Sequence, residues 1–524
     1  MDREVNLDSI LSLEGQIQER ERAVIQLKRA RNALLNVSTL PPEILGKIFH
    51  CNVIPGGDFH GLPEASHNFL LVCHHWFRVA SGTPELWSFW GNLIEDWARR
   101  HACCRTASLD LVLSGYADDH LDDTLRDTLQ DRATRDIIRR VHLEGPNTEL
   151  LSSIISSIIT KGEGVRSNVA ESFILRNTSK SDSVDVSNFF SSYYFPKLQR
   201  LRLFGCGISS WDLLESRTTS LTTLSLTDIR QSPLPTLSQM LSILSANPNL
   251  QYLELYDGAI PYVDSDRPSP QIRLYCLKTL DLRGTPRRVF GLLNRLELPD
   301  ELGDLTLSLS DDSPSDLPQT LGPYLGDHIR RRSSERLRLS VSPYLNHFYI
   351  KVGDDCEGGS TRADWFMTVE GTLDMMLGEK TTQKLCFGII AHIPQEKIAK
   401  VITTTLPILR SEELCVEMCN LAHLQLEGIN VPTWFIEPEI RGPHIFKDLL
   451  PGLRSISISG PSLSGGGWTP LTNFLARRAA VGNRIHSLRV RCYPRMGEGV
   501  VESIRHMVEV FEERGICDES DDGY

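Results

Sequence analysis

Residues 198–203 read LQRLRL, 221–226 LTTLSL, 250–255 LQYLEL, 277–282 LKTLDL and 302–307 LGDLTL. Each is L-x-x-L-x-L, and successive starts lie 23, 29, 27 and 25 residues apart. The pattern returns as LAHLQL (421–426), LRSISI (453–458) and IHSLRV (485–490), now at two spacings of 32. Looser versions stand at Ile138/Val141/Leu143 and Ala170/Phe173/Leu175. In an extended chain alternate side chains share a face, so the last two leucines of each motif enter one core. A single short strand cannot close that core, whereas stacked copies can. The return path is helical at PTLSQMLSILSANPNL from Pro235, where Leu237, Met240, Leu241 and Leu244 have helical spacing before Asn247-Pro248. The recurrence is similar to leucine-rich repeat proteins of irregular repeat length and predicts an α/β repeat solenoid over 91–517.

Two stretches, 310–335 and 353–364, are rich in Asp, Ser, Gly and Pro and are expected as loops. No repeat register is assigned between 340 and 415. The residues beside the second leucine of a motif point away from the core, onto the open strand face. That places Arg200, Arg202 and Phe204, then Tyr252, Glu254 and Tyr256, then Asp281 and Arg283 there. Aromatic and arginine side chains are the usual anchors of protein interfaces. These eight form the candidate face for an unidentified protein substrate, against the plainer reading of a mixed polar sheet surface.

The whole chain has 524 residues, 40% hydrophobic and 23% charged, with a net charge of -12. An acidic protein without a basic stripe is a poor ligand for phosphate backbones, which excludes nucleic acid as the main partner. Twelve cysteines are scattered from Cys51 to Cys517. Neither Cys103/Cys104 nor Cys415/Cys419 has zinc-site spacing, so buried thiols in a reducing compartment are expected. The opening MDREVNLDSI is acidic where a secretory leader is basic, and the nearest approach to a membrane span is the short, serine-broken LLSSIISSII from Leu150. The expectation is an intracellular protein, cytoplasmic or nuclear, with no membrane partner.

Residues 1–37 carry apolar residues at Ile10, Leu13, Ile17, Val24, Leu27 and Leu34, a heptad seam broken by Arg20 and Arg31. A helix is predicted, either pairing with a second copy or packing back on its own chain. Pro41 and Pro42 end it, Ser38 or Thr39 can cap the next helix, and Pro42 with Glu43 suits a first helical turn.

From there the sequence reads LPPEILGKIF (40–49) and, after a longer link containing Gly56-Gly57, LLVCHHWFRVASGTPELW (70–87). This resembles the F-box motif through Leu40, Pro41, Glu43, Ile44, Leu45, Ile48, Phe49, Leu70, Val72, Cys73, Trp76, Ala80, Pro84, Leu86 and Trp87. The resemblance implies a small all-α F-box domain over 38–90. It would dock on a Skp-type adaptor, and through it on a cullin ligase, with Leu40, Pro41, Ile44 and Leu45 as contacts and Glu43, Ile48, Phe49, Leu70, Val72, Cys73, Trp76, Leu86 and Trp87 as the other candidate partner-binding residues. Ile44, Leu45, Ile48 and Phe49 share a helix face, as do Cys73, Trp76, Phe77 and Ala80. For each the choice between core and interface stays open, with core favoured for Trp76. The leading helix, TPELW, and a following WARRHACC…LDLVL, with a helix near Trp97–Arg100 and a strand at Leu109/Leu111/Leu113, are similar to the large F-box families of mushroom-forming fungi.

No motif points to catalysis. G-x-x-x-x-G-K-[ST], H-E-x-x-H and G-x-S-x-G are all missing from the sequence. The glycines at 465–467 precede Trp-Thr-Pro and suit a turn. His74 and His75 are adjacent on a helix and so face different ways, and Asp118, Asp119, Asp122 and Asp123 lack the glycine and terminal Glu of a calcium loop. The acidic segment 518–524 is expected as a solvated tail. The expected function is a non-catalytic adaptor without cofactor or metal. The rival is a repeat scaffold that acts outside any ubiquitin ligase.

Overall fold

In the computed structural model each L-x-x-L-x-L segment becomes a parallel strand. The structure describes residues 2–35, 40–53, 69–91, 104, 107–113, 123–158, 165–166, 170–230, 233–262, 271–300, 302–310, 317–331, 337–344, 347–354, 365–372, 386, 388–403, 418–427, 450–461, 468–493 and 496–515. The linker glycines 56–57, Ser38 and Thr39, the segment at 97–100, Asp118, Asp119 and Asp122, the glycines 465–467 and the tail 518–524 lie outside them. The chain divides into two compact units, residues 1–219 and 220–524.

The first unit begins with helix α1 (Asp2–Ala33), followed by α2 (Pro42–Val53), the single turn α3 (Phe69–Val72) and α4 (His74–Ser81). The strands of its main sheet include β1 (Phe89–Gly91), β2 (Leu109–Leu113), β3 (Ile138–Gly145), β4 (Ser172–Asn177) and β5 (Arg200–Phe204). They pair in that order, all parallel. Val141, Phe173 and Leu201 stand in register, and so do Leu143, Leu175 and Leu203. Helix α5 (Thr148–Ile158) turns Leu151, Ile154, Ile155 and Ile158 inward beside β3. Behind β4 the rings of Phe173 and Phe189 stack at 4.2 Å, and those of Phe189 and Phe195 at 4.9 Å.

The second unit carries β6 (Thr223–Thr227), β7 (Tyr252–Tyr256), β8 (Thr279–Gly284) and β9 (Asp304–Ser310), again in sequential parallel register. Leu224, Leu253, Leu280 and Leu305 form one buried row; Leu226, Leu255, Leu282 and Leu307 form the next. Burying one leucine contributes about 2 kcal/mol, so the repeat is its own driving force. Two helices follow strands of this unit, α6 (Leu237–Ala246) and α7 (Pro286–Leu293), and the loop after α6 is tied by a side-chain amide. Buried Asn247 accepts from the Leu221 amide at 2.9 Å and donates to the Ile243 carbonyl at 2.8 Å.

The repeat order then changes. Strands β10 (Leu337–Tyr344), β11 (His347–Asp354) and β12 (Trp365–Thr372) form an antiparallel meander. Its two outer strands each continue the parallel sheet: β12 pairs with β9, and β10 pairs with β13 (Ile398–Thr403). Parallel order resumes through β14 (His423–Glu427), β15 (Ser455–Pro461), β16 (Ile485–Tyr493) and β17 (Val508–Gly515). Stretch 310–335, expected as a loop, instead holds helix α8 (Leu317–Arg331), whose Leu321, Leu325 and Ile329 are fully buried. Prolines misdirected that expectation: Pro318 sits in the first turn, where no amide is needed, and Pro323 is tolerated inside the helix. The closing helices are α9 (Trp468–Ala480) and α10 (Glu498–Met507). In α9 Arg478 is buried and its guanidinium donates to the carbonyls of Leu450, Leu453 and Asn483. It ties this repeat's loops as Asn247 ties an earlier one's.

Candidate docking surface and strand face

Residues 40–90 are organised by short-range chemistry. The Pro41 carbonyl accepts from the amides of Ile44 and Leu45, starting α2 with Pro42 in its first turn. Cys73 is extended and caps α4, its Sγ accepting from the Trp76 amide. Thr83 closes that helix by donating to the Val79 carbonyl at 2.8 Å. Pro84–Trp87 then forms one 3-10 turn that drives Leu86 and Trp87 inward. The Trp87 indole donates to the Ala80 carbonyl at 2.7 Å, and that of Trp90 to the Trp87 carbonyl at 3.1 Å.

The two helices sort their apolar residues. Leu45, Phe49, Ala80, Leu86, Trp87 and Trp90 are buried, with Phe49 against Trp76 at 5.1 Å between ring centres. Pro41, Glu43, Ile44, Ile48 and Val72 are exposed, and Leu40, Leu70, Cys73 and Trp76 are half-buried. Ile44 is 42%, Ile48 40% and Val72 53% open to solvent. The i, i+4 pair therefore faces outward while Leu45 and Phe49 hold the helix down. Trp76, read as core, is on the border, and its buried Nε1 has no hydrogen-bond partner among the described residues. Beside this surface runs an open groove of about 800 Å³, lined with polar groups that include Glu43, Lys47, His50, His75 and Arg78.

The strand-face residues fall into two sets, one in each unit. On β5 Arg200 is exposed and Arg202 and Phe204 half-buried. Their register partners on β4 are Ser172, Ile174 and Arg176. Arg176 covers the Phe204 ring at 5.3 Å while approaching Glu144 at 3.5 Å. In the second unit Glu254 stands beside Asp281, and Tyr256 beside Arg283. Tyr256 donates from its hydroxyl to Asp281 at 2.7 Å, and Arg283 lies over its ring at 4.5 Å. Glu254 accepts from Ser225 at 2.6 Å and from the Tyr252 hydroxyl at 3.2 Å.

This face is electrostatically tight. Burial, helped by the Glu254 charge, pushes the Asp281 carboxyl up to about 6, although the Tyr256 hydrogen bond and Arg283 oppose it. Burial and the bond to Asp281 push the Tyr256 phenol above its ordinary range. Asp304, which stands beside Thr279 on the next strand, is also raised by burial. Sequence reading passed over Asp304, although its place before the second leucine of LGDLTL puts it in the row of Tyr252 and Thr279. Acid, phenol and guanidinium here engage one another through a charge-assisted hydrogen bond and a cation–π contact. Among the described residues no group of three or more His, Cys, Asp or Glu is placed to hold a metal ion, and no helix is long and apolar enough to cross a membrane.

No family model matches the chain, and no curated protein matches it either. Among solved structures it is similar to the leucine-rich repeat-containing protein LegL7 from Legionella pneumophila. The identity is 10% and the TM-score 0.22, over 72% of this chain and 90% of that one.

Proposed function

We propose that this chain is a substrate-recognition adaptor of a ubiquitin ligase, docking through residues 40–87 on a Skp-type adaptor that links it to a cullin. The observation that carries the reading is the division of the motif's apolar residues. Leu45, Phe49, Leu86 and Trp87 make the small core, while Pro41, Ile44, Ile48 and Val72 remain open to solvent. A partner that covers these exposed side chains gains about 25 cal/mol for each Å² of apolar surface removed from water. Leu40, Glu43, Leu70, Cys73 and Trp76 border the stripe and complete the contact.

The mechanism needs no bond-making here. One end of the chain binds the ligase, the strand faces hold a protein substrate, and its lysine meets the charged ubiquitin carrier at raised effective concentration. Tyr252, Glu254, Tyr256, Asp281 and Arg283 form one substrate-binding row, and Arg200, Arg202 and Phe204 another.

Coexpression with a Skp-type adaptor tests the docking. The full chain is expected to copurify with it, and Leu40→Ala/Pro41→Ala or Ile44→Asp/Ile48→Asp to lower recovery by about tenfold or more, since anchors near an interface centre dominate affinity. Thermal melts matching the parent establish that these surface variants stay folded. Undiminished recovery from folded variants ends the docking reading. It leaves a repeat scaffold acting outside a ligase, which the strand face supports independently of residues 40–87.

A further inference from the structure

Helix α1 has an uncovered seam. Ile10, Leu13, Ile17, Val24 and Leu27, with Leu34 just beyond its end, are 47%, 57%, 56%, 49%, 71% and 84% exposed. They occupy the a and d positions of successive heptads, with Arg20 at a d position and Arg31 at an a position. Charge is skewed along the helix: Asp2, Glu4, Asp8, Glu14, Glu19 and Glu21 all lie before residue 22, interrupted by Arg3, Arg20 and Arg22, and only Lys28, Arg29 and Arg31 follow.

We infer that α1 pairs with α1 of a second copy, antiparallel, with Ile17 facing Leu27 and Ile10 facing Leu34 across the seam. Charge decides both occupant and direction. Two parallel copies set Arg20 against Arg20 and Arg31 against Arg31 inside the seam. Their flanking contacts are Ser9 with Glu14, Gln16 with Glu21 and Ala23 with Lys28, none of them opposite in sign. Reversing one copy places Arg20 against Val24 and Arg31 against Leu13. It also brings Lys28 between Glu14 and Glu21 of the other helix, twice by symmetry. Two like-charge approaches remain near the dyad, Glu21 with its counterpart and Arg20 with its counterpart one layer away, and there the two carboxylates and two guanidiniums offset one another. A bipolar helix is thus complementary to its own reverse, and a C2 pair uses the same patch on both partners. The geometry also spaces the two chains. Leu34 of one copy lies opposite Ile10 of the other, so the two Leu34 residues are separated by 24 residues of helix, about 36 Å. The two docking segments beginning at Leu40 then leave from opposite ends.

Light scattering on the full chain reads the outcome. The expected mass is twice 59.0 kDa. Lys28→Glu, or Glu14→Lys/Glu21→Lys, sets like charges together and is expected to weaken dimerisation about tenfold or more, and combining all three substitutions to restore it. Oxidation of Ile17→Cys mixed with Leu27→Cys is expected to give a covalent dimer through those two positions, identified by peptide mapping. A monomeric parent, a dimer indifferent to charge reversal, or a dimer cross-linked through Ile17→Cys alone overturns the proposal. Adaptor recovery by Lys28→Glu is expected to equal the parent's, which separates this test from that of the docking surface.

Discussion

Asp281 is where single-residue chemistry is most exposed to test. Its carboxyl is pushed up to about 6, mainly by burial. The folded chain therefore takes up a proton at higher pH than the unfolded chain, where an Asp titrates at about 4. Between those values the native state holds more protons, so this residue opposes folding above about 6 and the opposition is relieved as pH falls through that range. Asp281→Asn keeps an acceptor for Tyr256 and removes the charge. It is expected to raise the melting temperature at pH ~7.5 and to keep only about half of that advantage at pH ~5, midway through the window; an equal effect at both pH values would show that the carboxylate is not strained. Asn247 makes the opposite case, a buried polar group whose partners are all present. Asn247→Ala strands the Leu221 amide and the Ile243 carbonyl, and an expected loss of about 2 kcal/mol in urea unfolding checks it. Gly205 admits no side chain: its φ is 64°, and a Cβ would sit 2.2 Å from the Asn177 carbonyl oxygen.

At the scale of elements, the strands were legible because the leucine pattern encodes direction and register together. Leu253/Leu255 and Leu280/Leu282 face one another as their positions in LQYLEL and LKTLDL require. Helix α6 was legible for the same kind of reason, and its Thr236–Gln239 capping box was there to be read as well. Where the period lapses, the signal is lost. The meander β10–β12 pairs antiparallel, so nothing in a parallel repeat announces it, and its register comes from neighbours on both sides. Helix α8 was masked by its prolines and polar flank, though Leu321, Leu325 and Ile329 carry an i, i+4 stripe that alone would have found it. Leu325→Ala is expected to cost about 2–5 kcal/mol, as a buried helix position should, and a cost near zero in chemical denaturation would return the segment to a surface loop. Residues 40–87 show the complementary limit. The motif could be read as three short helices, but composition does not separate Ile44 and Ile48 from Leu45 and Phe49; only the packing of α4 and the Pro84–Trp87 turn on α2 decides which pair is inward.

Across the molecule, the consequence of the repeat is that stability passes between neighbouring strands rather than through one central core. In the second unit the sheet runs from β6 to β9, through the meander, and on from β13 to β17, so any strand left unpaired offers its backbone to another chain. Strand β17 covers one side of β16 and carries Glu509, Glu512 and Glu513. Glu509 meets His486 at 2.6 Å, Glu512 meets Arg489 at 3.0 Å, and Glu513 accepts from the Met496 amide at 2.7 Å. The strand therefore closes a ladder and places charge where further pairing would begin. Deleting residues 494–524 removes α10 and β17 together and leaves the nine-residue strand Ile485–Tyr493 bare on that side. In a Lys28→Glu background, where helix pairing is suppressed, the truncated chain is expected to form concentration-dependent higher oligomers by light scattering. The full-length Lys28→Glu chain is expected to form none. A truncated chain that stays monodisperse and melts with its parent would mean that β16 needs no cover, and that the acidic strand does something other than close the sheet.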